Sequence, residues 1–132
     1  MSVASGSFVP GALFSAGDGH AIQGNGEVCL TAIETALTGT FELNLQKGAS
    51  LRLPRAEKPD AWITMAFDED LDDAVKLALR EMIQLIVEKT GLSRQDAYTL
   101  CSIAADLRVT QMVDGNKGIH CVLPKAKMPA TS

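Results

Sequence analysis

Aromatic residues are scarce in this 132-residue sequence: one Trp, one Tyr and four Phe make up 5% of it. Any core must therefore be filled by Leu, Ile, Val and Met, and an apolar share of 46% is enough to form one. No stretch approaches the roughly 20 uninterrupted apolar residues of a membrane span. Met1 to Gly6 hold neither a basic region nor an apolar run, which predicts no secretory signal. Positive charge is in deficit, with 12 Lys and Arg against 16 Asp and Glu and a net charge of -4. Phosphate backbones and anionic membrane faces attract basic surfaces, so neither nucleic acid nor a membrane is expected as a partner. Cysteine is sparse as well. Cys29, Cys101 and Cys121 are odd in number, far apart and without a Cys-x-x-Cys pair. That pattern predicts reduced thiols in the cytoplasm rather than a disulfide framework or a zinc knuckle.

The length suits about one domain. Residues 8–67 read mainly as strands and turns. Phe8 to Phe14 suggest a short strand broken by Pro10-Gly11. Gly17, Gly19, Gly24 and Gly26 mark a loop that can approach a bound group closely. A strand is expected over residues 27–37, with Val28, Leu30, Ala32 and then Glu34 on one face. A carboxylate on an otherwise apolar face is a local inconsistency of the kind that marks function. A solvated strand end would explain it equally well.

Residues 39–46 alternate most cleanly, with Phe41, Leu43 and Leu45 on one side and Glu42, Asn44 and Gln46 on the other. A short strand is expected at Leu51 to Leu53, and residues 55–60 read as a charged surface connection. Trp62 to Phe67 alternate again, with Ile63, Met65 and Phe67 sharing a side.

The pattern then changes period. Asp70 is a good N-cap, and Leu71, Ala74, Val75, Ala78, Met82, Leu85 and Ile86 form a wide apolar stripe. This predicts a helix over about 70–90, closed by Gly91. Ser93 with Asp96 resembles a capping box and opens a second helix over about 93–105. Asp114-Gly115 between two apolar runs signals a C-terminal hairpin over 107–123. Helices segregated from antiparallel or mixed strands make the class α+β. The chain, residues 1–132, divides by composition into a β part (1–54) and an α/β part (61–124).

Chemistry concentrates in the glycine-rich loop. Asp18 and His20 are an Asp-x-His pair on one side of an extended segment. Glu27 or Glu34, on the strand that follows, supplies a third oxygen, and this donor set suits zinc or a similar divalent ion. Residue types alone make this a weak signal, since many loops hold Asp-Gly-His without a metal. Cys29 with His20 as base offers a nucleophile, though a cysteine in an apolar strand more often packs as a small hydrophobe. His120 reads as a structural or surface histidine, with a hydrogen-bonding role near the site as the alternative. The acidic run from Asp68 to Asp73 is explained by a capped, solvated helix start.

Gly17-Asp18-Gly19-His20-Ala21-Ile22-Gln23-Gly24-Asn25-Gly26-Glu27-Val28-Cys29, followed by Thr31-Ala32-Ile33-Glu34, resembles the signature of the acetamidase/formamidase family. Pro10 to Ser15, Ala97 to Ser102, Asp106 to Gln111 and Gly118 to Pro124 also look familial, so the likeness covers nearly the whole chain. It implies the C-terminal portion of a hydrolase of small linear amides such as formamide or acetamide. A divalent metal, zinc first among candidates, would be held by Asp18 and His20 with Glu27 or Glu34. Glu34 or Glu27 would move the proton, and the Gly24, Asn25 and Gly26 backbone would face the oxyanion. Two departures stand out. Asn25 replaces the usual Asp, which keeps an acceptor but loses a charge. The family's earlier Gly-Asn-x-Asp segment has no counterpart here, so the site is expected to be incomplete in one chain. A homo-oligomer or a partner N-terminal chain is expected, and a non-catalytic assembly role is the alternative.

Overall fold

Both helices begin where the sequence supplies an acceptor. In the computed structural model, which describes residues 2–4, 11, 13–48 and 51–130, α1 (Leu71–Thr90) follows Asp70. One Asp70 carboxylate oxygen accepts from the N–H of Asp72 at 2.8 Å and of Asp73 at 3.2 Å. Such a cap contributes about 1 kcal/mol. Gly91 ends the helix in the left-handed region, φ 73°, where its N–H reaches the Val87 carbonyl. α2 (Arg94–Ala104) starts at Ser93, whose hydroxyl accepts from the Asp96 N–H.

Among the described residues seven strands join these helices: β1 (Ser2–Ala4), β2 (His20–Ile22), β3 (Ile33–Glu34), β4 (Arg55–Glu57), β5 (Ala61–Asp68), β6 (Asp106–Gln111) and β7 (Lys117–Pro124). Five form an antiparallel sheet in the order β1-β4-β5-β7-β6, and β2 with β3 forms a separate pair. The fold is α+β, as the residue pattern predicts.

The helices lie on one face of the large sheet. Ala66 on β5 and Ile119, Cys121 and Leu123 on β7 are buried with Ala74, Ala78, Met82 and Ile86 of α1. The alanines let the helix sit close. Thr64, fully buried, donates its hydroxyl to the Ala78 carbonyl at 2.8 Å, so its polar group is satisfied. Because side chains alternate, Ile63, Met65 and Phe67 share the face turned away from α1. His120 directly opposes Met65 in the ladder and therefore lies on that same face. Trp62 is held between the ammonium groups of Lys89, 4.5 Å, and Lys125, 4.6 Å from its centroid.

Three segments differ from the sequence reading. The strand expected over 27–37 shrinks to Ile33–Glu34. The turn before it carries positive φ at Gly26 (98°), Glu27 (43°) and Leu30 (66°), incompatible with extended backbone. Residues 39–46 form no ladder among the described residues, and Phe41, Leu43 and Leu45 are 59%, 72% and 84% exposed. Amphipathic alternation tells a segment which face to bury, but a strand also needs a neighbour to bond. Residues 51–53 are a bend, and the strand instead follows Pro54 as β4. The charges of this segment suggest a surface connection. Arg55 in fact bridges to Glu81 at 3.4 Å and Glu88 at 2.7 Å on α1, and the Arg55 guanidinium holds the Glu88 carboxyl below the ordinary carboxylate range. The tail forms a short 3-10 turn at Lys125–Lys127. The strand expected around residues 8–14 falls mostly outside the described residues.

The cysteines separate by environment. Burial pushes the Cys101 thiol up to about 11 and the Cys121 thiol up to about 12, while Cys29 is exposed. Thiolates, not thiols, react. Iodoacetamide at pH 8 should therefore label the folded chain once, at Cys29, and all three cysteines only in denaturant; intact mass before and after unfolding reads this directly. Rapid labelling of Cys121 in the native protein would contradict the packing of β7.

Candidate metal and substrate site

The glycine-rich loop is folded back on itself by a short ladder. His20 on β2 stands directly opposite Glu34 on β3, and opposed residues in an antiparallel pair project to the same face. Asp18 adopts φ 56°, a left-handed turn that Asp tolerates. Gly19 has a steric reason to be glycine: a Cβ there would lie 2.5 Å from the Thr35 carbonyl, whose own N–H bonds the Gly19 carbonyl at 2.8 Å.

These constraints bring three donors together. His20 Nε2 lies 3.2 Å from Asp18 Oδ1 and 3.2 Å from Glu34 Oε2. One ligand atom from each of Asp18, His20 and Glu34 falls within 4.8 Å of the others. The other ring nitrogen, Nδ1, lies 2.8 Å from Gln23 Oε1. Gln23 donates its NH2 to the Thr110 carbonyl at 2.8 Å, and that carbonyl can only accept, so the Gln23 amide oxygen is the end that faces His20. Nδ1 is thereby an N–H donor, and Nε2 is the nitrogen that faces the carboxylates: it donates to them while protonated and turns a lone pair to a metal ion once that proton is lost. Together the Gln23 hydrogen bond and the nearby Asp18 and Glu34 carboxylates raise the His20 pKa. The chemistry of the set, one imidazole nitrogen and two carboxylate oxygens, fits zinc, and the Gln23 contact is the kind of outer-shell partner that orients a ligating histidine.

The loop then docks on the large sheet. Gly26 donates to the Thr110 carbonyl at 3.3 Å and accepts from the Met112 N–H at 2.9 Å. Docking closes one side of a cleft of about 500 Å³, with Asp18, His20, Gly24, Asn25 and Glu27 on the loop wall and Phe67, Thr110, Gln111, Asp114 and His120 on the sheet wall. Glu27 is half-buried in this wall but is not among the three converging donors. One expectation needs correction. Gly26 cannot offer its N–H to an oxyanion, because Thr110 already takes it; Gly24 and Asn25 line the cleft, and neither has its backbone N–H bonded within the protein among the described residues. Cys29 is exposed and outside the cleft lining.

Two site residues have roles that the sequence alone does not settle. Gln23 was legible only as a signature residue; its i+3 spacing from His20 was the available signal. His120 faces the cleft, the position that its alternative reading, a hydrogen-bonding residue near the site, requires. Burial first, and the Arg108 guanidinium second, hold its pKa below the ordinary value.

A sequence profile of the Acetamidase/Formamidase family matches residues 2–127. The chain belongs to the acetamidase/formamidase family. Its fold is similar to the crystal structure of an acetamidase from Yersinia enterocolitica, with 33% identity and a TM-score of 0.80 over 84% of this chain and 34% of that one. It is also similar to an acetamidase from Bacillus halodurans, with 32% identity and a TM-score of 0.74 over 84% of this chain and 39% of that one. The chain thus spans little more than a third of the length of these solved relatives. No curated protein sequence matches it. Among the described residues no helix is long and apolar enough to cross a membrane.

Proposed function

We propose that this chain carries the metal-binding wall of an amidase site acting on small linear amides such as formamide or acetamide. The convergence of Asp18, His20 and Glu34 within 4.8 Å carries the reading, supported by family membership. A divalent ion, most simply zinc, would be held by those three side chains; when bound it supplies Lewis acidity toward the carbonyl and eases deprotonation of water. Glu27, half-buried in the cleft wall where Asp114 is exposed, accepts the proton of the attacking water and delivers it to the departing ammonia. The Gly24 and Asn25 N–H groups face the developing oxyanion. Gln23 keeps the His20 lone pair on Nε2. Three free thiols suit a reducing compartment such as the cytoplasm.

Calorimetric zinc titration tests the reading. One equivalent binds the wild-type chain and none binds His20→Ala. Asp18→Asn and Glu34→Gln bind more weakly, and Gln23→Leu loses roughly 10–100-fold in affinity, the usual cost of an outer-shell partner. A wild-type chain that takes no zinc, or a His20→Ala variant that binds it equally well, refutes the site.

A second reading has its own observation. Leu13, Leu30, Leu37, Leu43 and Leu45 are each at least 67% exposed, an apolar surface of the kind that marks association. In that reading the chain serves assembly, with no turnover of its own, and it binds a family polypeptide without needing zinc.

A further inference from the structure

His120 has no part in the chemistry proposed above, yet it occupies the sheet wall of the cleft, across from the loop that carries Asp18 and His20. Its position is set by the ladder: β7 places it directly between Met65 on β5 and Arg108 on β6. The Arg108 guanidinium is engaged by Asp106 at 2.8 Å. No hydrogen bond ties the His120 ring to the protein among the described residues, although the ring is half-buried. The ring nitrogens are not sealed off from solvent, so water or a ligand in the cleft is left to complete their hydrogen bonds. Its lowered pKa keeps the ring neutral at pH 7, so it offers one N–H and one lone pair. Phe67, on the same sheet face, lines the cleft beside it and is 41% exposed.

A primary amide needs the complement of this wall. Its NH2 donates while its carbonyl accepts, and a short acyl group wants an apolar neighbour. We infer that His120 and Phe67 form the substrate-recognition wall of the cleft, His120 accepting a hydrogen bond from the amide nitrogen and Phe67 packing against the acyl substituent. The inference rests on the amidase reading, because it needs the carbonyl end directed at Asp18, His20 and Glu34. His120 is then a binding residue and not a metal ligand. Acyl size is limited on the sheet side, by Phe67.

The chain holds only two histidines, His20 and His120, so two sets of ring signals in an NMR spectrum report the two walls separately. Zinc is added first, and then acetohydroxamate, a metal-binding analogue of acetamide. One equivalent of zinc should shift His20 and leave His120 in place; acetohydroxamate should then shift His120. His120→Leu should keep zinc affinity and the His20 response, which also shows that the variant is folded. Its affinity for acetohydroxamate should fall about tenfold, the weight of one hydrogen bond, and His120→Gln should recover part of the loss. Zinc that leaves His20 unmoved would overturn the metal reading and this inference with it. Zinc that moves His20, followed by acetohydroxamate that leaves His120 unmoved, would overturn the inference alone. Zinc that moves both rings at one equivalent would make His120 a ligand and also overturn it.

Discussion

Ile86→Asp unfolds the chain. Ile86 has no exposed surface and belongs to the buried cluster of α1, β5 and β7, beside the equally buried Met82 and Leu123. Burying an isoleucine contributes about 1.5–3 kcal/mol. An aspartate there forfeits that and adds an unpaired charge in an apolar environment, a further cost of about 3–5 kcal/mol when no partner compensates it. The sum rivals the whole stability of a small domain, about 5–15 kcal/mol. This fold has reason to sit low in that range, because helices cover only one face of its sheet. Circular dichroism and proton NMR of the purified variant decide the matter: loss of cooperative melting and of dispersed methyl signals is expected. Arg80→Gln, on the exposed side of the same helix, should change stability by no more than about 0.5 kcal/mol. A soluble Ile86→Asp variant with a native spectrum would mean that α1 does not pack on the sheet through this stripe.

That stripe was readable because everything it requires is local. Asp70 and Gly91 mark the ends of α1, and the three- and four-residue spacing of its apolar residues marks the buried face. The hairpin of β6 and β7 is local in the same way, with Asp114-Gly115 in its turn. Residues 39–46 show the limit of such reading. Phe41, Leu43 and Leu45 alternate as a strand should, but alternation does not name the neighbour, and none pairs with them among the described residues.

The site divides along the same line. Asp18 and His20 lie two residues apart, so their meeting was visible in the sequence. The choice between Glu27 and Glu34 was not, because it depends on the turn at Gly26 to Leu30 and on the pairing of His20 with Glu34. His120 is 100 residues from His20 in sequence, and only the docking of Gly26 against Thr110 places the two on one cleft. Its local signal, a polar ring in an apolar alternation, fits a surface histidine equally well.

The zinc-loaded chain by itself should release ammonia from formamide on the order of 10³- to 10⁵-fold more slowly than a full-length acetamidase of the family, and it should associate in solution. Both effects have one structural source. The carboxylates of Asp18 and Glu34 are 83% and 52% exposed, so water competes for every charge in the site. Electrostatic stabilisation of an oxyanion depends on excluding that water, and a single missing donor costs about 10²–10³ in rate. Loosely held ligands add a further factor of roughly 10–100. The same part of the chain exposes Phe14, Phe41, Leu43 and Leu45, apolar side chains that association would cover. Ammonia release and mass in solution, followed on one sample, measure both effects. Leu43→Lys with Leu45→Lys should shift the mass toward monomer without weakening zinc binding, since neither residue lines the cleft. Supplying the complementary portion of a family acetamidase should raise turnover and protect the exposed segment from proteolysis together, because one covering surface would do both. Turnover by a monomer at the rate of the full-length enzyme would show that these 132 residues complete the site without cover, and the exposed apolar surface would then need another explanation.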